Sequence, residues 1–316
     1  MRLPLRAVVD VIRGEGVASA LRRTRERLTP QPRFDDDDAP LVNVCANVDP
    51  RTGGTAIQLL HRLSEERASR GVKLATRLPQ RDVPIHIEGM HGFAPAEILR
   101  FTRFAITLHD LTAVPSEVFA AASGVIFVSE FLRYHFGVAG EVVEPSYPDV
   151  DVRSEGNGIA FAGSVKRHKG GHLLPDIARA FDVPFHVFGG GDVDLLRALR
   201  RVPNVVVHGY YVHGTLPSLL ARQRIGRVVL PSIVPESYSL TLTECWQAGV
   251  PVAAFDIGAI AQRIRSHGGG WLAPLESGAQ GLVGLLKSPN VAVPRVMRSN
   301  AAERHIALYR KWGLLS

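Results

Sequence analysis

The chain has 316 residues, 46% of them hydrophobic and 21% charged, which suits two soluble domains of ordinary size. Lys+Arg 37 against Asp+Glu 30 leaves a net charge of +7, favouring anionic partners such as phosphates or acidic lipid without choosing among them. No apolar run approaches the ~18 residues of a membrane span, and Cys45 and Cys245 lack the spacing of a disulfide framework or a zinc site; a reducing cytoplasmic setting is expected.

Residues 1–39 read as a basic N-terminal tail and an acidic linker. Arginines alternate with Leu5, Val8, Val9, Ile12, Val17 and Leu21, a pattern too charged for a signal peptide. Two readings stay open: an amphipathic helix lying on an anionic membrane, at the inner face of the plasma membrane, or a solvated helix weakened by Gly14 and Gly16. The run Asp35 to Asp38 repels itself and ends the tail. Aromatics are not interleaved with the arginines, so nucleic acid is not expected as a partner.

From Pro40 short β-branched runs alternate with helical stretches, the pattern of βαβ units. Strands are predicted at Leu41 to Cys45, Lys73 to Thr76, Ile85 to Ile87, Phe104 to Leu108 and Val125 to Val128, with a helix at Thr55 to Ser69 and another around Phe131 to Phe136 capped by Ser129. The segment EPSYPDVDVRSEGN, Glu144 to Asn157, reads as a hinge. Beyond it, strands are predicted at Ile159 to Ala162, Phe185 to Phe188, Val205 to Val207, Val228 to Leu230 and Val252 to Phe255, with helices near Gly171 to Ala180, Asp192 to Leu199, Leu216 to Arg222 and Leu240 to Ala248. The expected architecture is α/β, with two Rossmann-like, doubly wound parallel-sheet domains at 40–150 and 151–316, the last helix returning to the first domain.

Two segments carry chemistry. In PSIVPESYSLTLTECWQAGVPVAAFDIG, Pro231 to Gly258, Glu236 precedes a helix and Glu244 lies within it. Carboxylates so placed can hold the vicinal hydroxyls of a ribose and a hexose; the plainer reading of Glu236 is a favourable charge at a helix start. In FAGSVKRHKGG, Phe161 to Gly171, a strand ends in glycine and a basic turn follows. Glycine admits a ligand to the backbone, and fixed cations offset a diphosphate. The plainer reading there is a basic surface turn.

Together these segments resemble the nucleotide-sugar site of family 4 glycosyltransferases ("glycosyl transferases group 1"), over most of Pro40 to Leu285 and more densely in the second half. The resemblance implies a GT-B fold with two domains facing a cleft. It implies a retaining hexosyltransferase that uses a UDP- or GDP-sugar donor, a glycan or lipid-linked acceptor and neither a metal nor a further cofactor, in cell-surface polysaccharide or lipopolysaccharide synthesis. By it Glu236 holds the transferred sugar and Glu244 the ribose, while Ser237, Tyr238, Ser239 and Leu240 offer amides to the sugar or diphosphate, Ser239 standing where glycine is usual. Gly163, Ser164, Lys166, Arg167 and Lys169 form the diphosphate turn. Lys169 matches the family lysine, Ser164 replaces its arginine, and Lys166 or Arg167 supplies that charge. Gly189 and Gly191 match a Gly-x-Gly turn, and His208-Gly209-Tyr210 the segment beside the base. Asp256, Gly258 and Ala259 follow the last core strand, with Gln262 in place of the usual glutamate. In the first domain Gly53-Gly54 matches the glycine pair facing the diphosphate and acceptor, and His109-Asp110 a TxHD segment near the sugar; His86 and His91 match more loosely. A nucleotide-sugar epimerase and a non-catalytic nucleotide-sugar-binding paralogue are the rival readings.

Overall fold

The computed structural model describes residues 40–46, 59, 60, 62, 63, 66, 72–147, 149–296 and 299–316. The expected tail, acidic linker and Gly53-Gly54 lie outside these residues, as does most of the helix expected at Thr55 to Ser69, of which 59, 60, 62, 63 and 66 are helical. The chain divides into two compact units: a first unit made of the described parts of 31–149 with those of 297–316, and a second unit, Val150–Val296.

In the first unit the β-branched runs form β1 (Val42–Val44), β2 (Lys73–Ala75), β3 (Ile85–Glu88), β4 (Phe104–Leu108), β5 (Gly124–Phe127) and β6 (Glu141–Val142), paired in the order β2-β1-β3-β4-β5-β6. Every pairing is parallel. All residues of β1, β3 and β4 are buried, as strands of a parallel sheet covered on both faces must be. The helices α1 (Pro95–Ile98), α2 (Ser116–Ala121) and α3 (Glu130–Phe136) connect them. Ser129 caps α3 by accepting from the Leu132 amide at 3.2 Å, and Gly137 ends it in the left-handed conformation at φ 64°.

The second unit alternates without interruption: β7 (Gly158–Ala162), α4 (Leu174–Arg179), β8 (Phe185–Phe188), α5 (Val193–Arg200), β9 (Val205–Gly209), α6 (Leu216–Arg222), β10 (Ile225–Leu230), α7 (Leu240–Gln247), β11 (Val252–Phe255), α8 (Gly258–His267), β12 (Gly270–Ala273) and α9 (Gly278–Leu286). Its parallel sheet has the order β12-β11-β10-β7-β8-β9. The run IAFA shows why it is sandwiched: Ile159 and Phe161 face one apolar cluster with α4, α5 and α9, while Ala160 and Ala162 face another with α6, α7 and α8. Burying each large side chain contributes about 1.5–3 kcal/mol. Sequence patterning did not anticipate β12, since His267-Gly268-Gly269-Gly270 reads as a turn, yet Gly270–Ala273 pairs with β11.

The last helix, α10 (Ala301–Lys311), belongs to the first unit. It buries Tyr309, whose hydroxyl lies 2.6 Å from His86 Nδ1, and His305, whose Nε2 lies 2.8 Å from an Arg62 nitrogen. No helix among the described residues is long and apolar enough to cross a membrane. Cys45 and Cys245 are buried thiols.

Candidate active site

In the second unit the strand order reverses between β7 and β10: the chain runs out through β8 to β9, then returns beside β7 to start β10. The helices that follow the two strands lie on opposite faces, so a crevice opens at the strands' carboxyl ends. The turn 163–171 leaves β7 there and the segment 231–239 leaves β10.

Backbone contacts lock these two segments together. Ile233 donates its amide to His168 O at 3.0 Å, and Ser232 Oγ donates to the same oxygen at 3.3 Å. Gly170 has φ 74°, and a Cβ there would stand 1.9 Å from Pro231 O, so only glycine fits. This contact sets Lys169 Nζ 2.6 Å from Glu236 Oε1, with both side chains partly exposed, at 32% and 19%. Glu236 is held from behind: Ala259 donates its amide to Glu236 O at 2.8 Å, and a Cβ on Gly258 (φ 64°) would stand 2.7 Å from Glu236 N. The start of α8 thus fixes the residue that carries the carboxylate.

The helix start itself is unusual. Ser239, before α7, has φ 73° and accepts from the Leu242 amide at 3.4 Å, a weak cap. Buried Arg263 of α8 donates to Tyr238 O and Ser239 O, each at 3.1 Å, and to Thr243 Oγ1 at 2.9 Å. Sequence reasoning missed Arg263, one of two arginines in a helix that also ends in His267.

Around the basic turn, Gly163 has φ 127° and space above it, a Cβ meeting only Phe161 Cζ at 3.8 Å. Ser164, Lys166 and Arg167 are exposed, and neither Lys166 nor Arg167 has an acidic partner among the described residues. Gly189 and Gly191 have a structural part to play: a Cβ on them would stand 1.7 Å from Gly163 O and 2.2 Å from Val165 O. Gly163 donates to Phe188 O at 2.9 Å and Val165 to Gly190 O at 2.8 Å, so the glycine turn underlies the basic turn and fixes its height.

Glu244 and Glu236 have separate partners. Glu244 is buried on α7, its Oε1 accepts from the Gly214 amide at 2.7 Å, and His213 Nδ1 lies 3.1 Å from Oε2. Burial, and then this carboxylate, raise the Tyr211 phenol well above its ordinary range. His213 and Gly214 escaped sequence reasoning, because only their loop's return to α7 reveals them. Tyr210 follows β9 directly and is half-buried. Next to it the His208 ring stacks on Phe188, centroids 4.4 Å apart, and shares a 2.8 Å contact with His186. Asp256 pairs with Arg265, and Gln262 donates to Ser266 Oγ at 3.1 Å.

In the first unit His109 follows β4 with its side chain buried, and its Nε2 lies 2.7 Å from Glu88 Oε2. Burial by itself would raise the Glu88 carboxyl, yet the Arg62 guanidinium, with His86 and His109, holds it well below the usual range. An ionised carboxylate only accepts, so Nε2 carries the proton. His109 Nδ1 has no partner among the described residues, and the ring borders a small cavity shared with Arg62, Thr107, Ser146 and His305. His91 and Asp110 pair with each other on the exposed side, Nε2 to Oδ2 at 2.8 Å.

Residues 156–288 match the family model described as Glycosyl transferases group 1. Among solved structures, HepE (Alr3699) of Anabaena in complex with UDP and glucose aligns with TM-score 0.58 at 14% identity, covering 78% of this chain and 89% of that one. AviGT4, a glycosyltransferase involved in avilamycin A biosynthesis, aligns with TM-score 0.58 at 18% identity over 86% and 97%. Sucrose-phosphate synthase from Thermosynechococcus elongatus aligns with TM-score 0.61 at 16% identity over 87% and 96%. At such identities the likeness is one of fold, and the fold is the two-domain α/β GT-B fold. A search of the curated protein sequences finds no match.

Proposed function

We propose, from the Glycosyl transferases group 1 match over residues 156–288 and the site of that unit, that the chain is a retaining glycosyltransferase. It moves a hexosyl group from a UDP- or GDP-sugar to a glycan or lipid-linked acceptor, in cell-surface polysaccharide or lipopolysaccharide synthesis at the cytoplasmic membrane face. The observation that carries the reading is the Lys169–Glu236 pair at the reversal of the second sheet. HepE, a protein of this fold, is solved in complex with UDP and glucose.

In this reading Glu236 accepts from hydroxyls of the transferred sugar and Glu244 from those of the ribose. Lys169 moves its charge to the diphosphate, joined by the α7 amides and by Lys166 or Arg167. The bond from the anomeric carbon to the phosphate oxygen breaks with its electron pair going to that oxygen. The acceptor oxygen then bonds the same carbon on the same face, and its proton passes to the departing phosphate oxygen. Positioned cations and amides supply the catalysis as charge develops on the leaving group, so the reaction proceeds without a divalent metal. In the first unit the reading assigns His109, oriented by Glu88, to a sugar hydroxyl, and Gly53-Gly54 to the diphosphate and acceptor.

A thermal-shift panel of UDP-, GDP- and ADP-sugars tests this. A ligand at 100 times its dissociation constant stabilises by about 2.7 kcal/mol. Stabilisation by one base class, followed by sugar transfer with retained configuration, is expected; no stabilisation by any, or release of an epimerised donor without an acceptor, overturns it.

A further inference from the structure

We infer that Arg263 is a positioning residue for the donor loop, pinning the carbonyls of Tyr238 and Ser239 so that the amides of Ser239 and Leu240 are presented to the donor's diphosphate. The presentation to a donor rests on the donor-site reading above. The pinning itself stands on geometry alone.

Arg263 is 4% exposed, and its NH1 donates to both carbonyls at 3.1 Å. Its NH2 donates to Thr243 Oγ1 at 2.9 Å, tying the guanidinium to α7 itself. The group lies 3.9 Å from the centroid of the Tyr238 ring and 5.1 Å from that of Trp246, and Trp246 is anchored by its own 2.8 Å bond from Nε1 to Gly269 O. An arginine packed against two buried rings and holding three hydrogen bonds has little freedom to swing away.

In a trans peptide the carbonyl and the following amide point in opposite directions. Two carbonyls aimed at Arg263 therefore aim the amides of Ser239 and Leu240 away from it. Neither amide has an acceptor among the described residues. The pins also oppose strain: Ser239 at φ 73° is one of two non-glycine residues with positive φ among those described, a conformation disfavoured for any side chain with a Cβ. Without Arg263, a serine there relaxes to negative φ and turns the Leu240 amide off its target. A glycine at this position would reach the same geometry without the Cβ penalty, so the pins from Arg263 offset what serine costs there.

The test is a cycle of Arg263→Met, Ser239→Gly and the double variant in the full chain, with Arg263→Lys as a milder change that retains a donor. UDP affinity is measured by calorimetry, donor KM and kcat by transfer or donor hydrolysis, and stability by urea unfolding. Arg263→Met is expected to weaken UDP binding and raise donor KM about tenfold in the serine background, and only about twofold when combined with Ser239→Gly. Arg263→Lys falls between. Equal losses in both backgrounds, or a lowered urea midpoint with unchanged UDP affinity, overturns the inference. If the unaltered protein binds none of UDP, GDP and ADP, the donor reading fails instead, and the urea cycle alone judges Arg263: non-additive losses sustain the pinning, and additive losses overturn it.

Discussion

Lys169 and Glu236 leave the sheet from different strands, yet Nζ and Oε1 stand 2.6 Å apart because Gly170 lets one turn rest on the carbonyl of Pro231. Each charge offsets the other in this arrangement. A partly exposed pair of this kind contributes only about 0–1 kcal/mol to stability. Lys169→Ala and Glu236→Ala are therefore expected to melt close to the parent while transfer falls about 100-fold or more. Steady-state kinetics beside a thermal scan checks it; near-normal turnover in both variants removes these roles.

Gly170→Ala should behave in the opposite way, because the added carbon meets a backbone oxygen at 1.9 Å and the residue sits at φ 74°. The two turns must separate or the alanine must strain, at a cost of about 1–3 kcal/mol. Gly214→Ala is the control: φ is 87° but nothing lies within 4 Å of the new carbon, leaving only the conformational cost of about 1 kcal/mol. Urea midpoints should fall further for Gly170→Ala, with transfer lost alongside. Equal shifts would mean that the contact with Pro231 sets nothing.

The first unit should be acid-sensitive before its carboxylates are titrated. Burial pushes His86 from 6.5 down to about 3, with Glu88 opposing the change and Arg62 and His109 reinforcing it. The folded chain thus excludes a proton that the unfolded chain binds below 6.5, so this stabilising contribution is complete above 6.5 and is lost as pH falls towards 3. His305, also lowered chiefly by burial, adds to the slope. Urea unfolding from pH 7 to pH 4 should show a steady decline, and His86→Gln should flatten it in part; an unchanged slope in that variant would show that His86 is not its source.

Glu244 offers a test of the ribose assignment. Its Oε1 already accepts from the Gly214 amide at 2.7 Å, so the carboxylate is fixed before any ligand arrives. Removing a contact remote from the reacting bond should weaken binding in ground and transition state alike. Glu244→Gln is expected to raise donor KM about tenfold with kcat little changed. A 2′-deoxy donor should lose affinity for the parent but not for the variant; loss in both would place the ribose elsewhere.

The alternation of strands and helices was legible in the order of residues alone, because a strand buried on both faces must read as a continuous apolar run such as Ile159 to Ala162, and a turn must show its glycines. The same order marked Lys169, Glu236 and Glu244 as chemically eligible, through charge beside glycine and a helix start. Their partners were not legible. Contacts between distant segments leave no local pattern: Gly189 reads as a turn glycine until it is seen beneath Gly163, and Arg263 reads as a helix charge until its carbonyl partners appear. Spacing placed Glu236 before a helix and Glu244 within it, but it could not name their partners, Lys169 for the one and Gly214 and His213 for the other. Backbone packing between turns settles such pairings, and it depends on where the sheet reverses rather than on spacing along the chain.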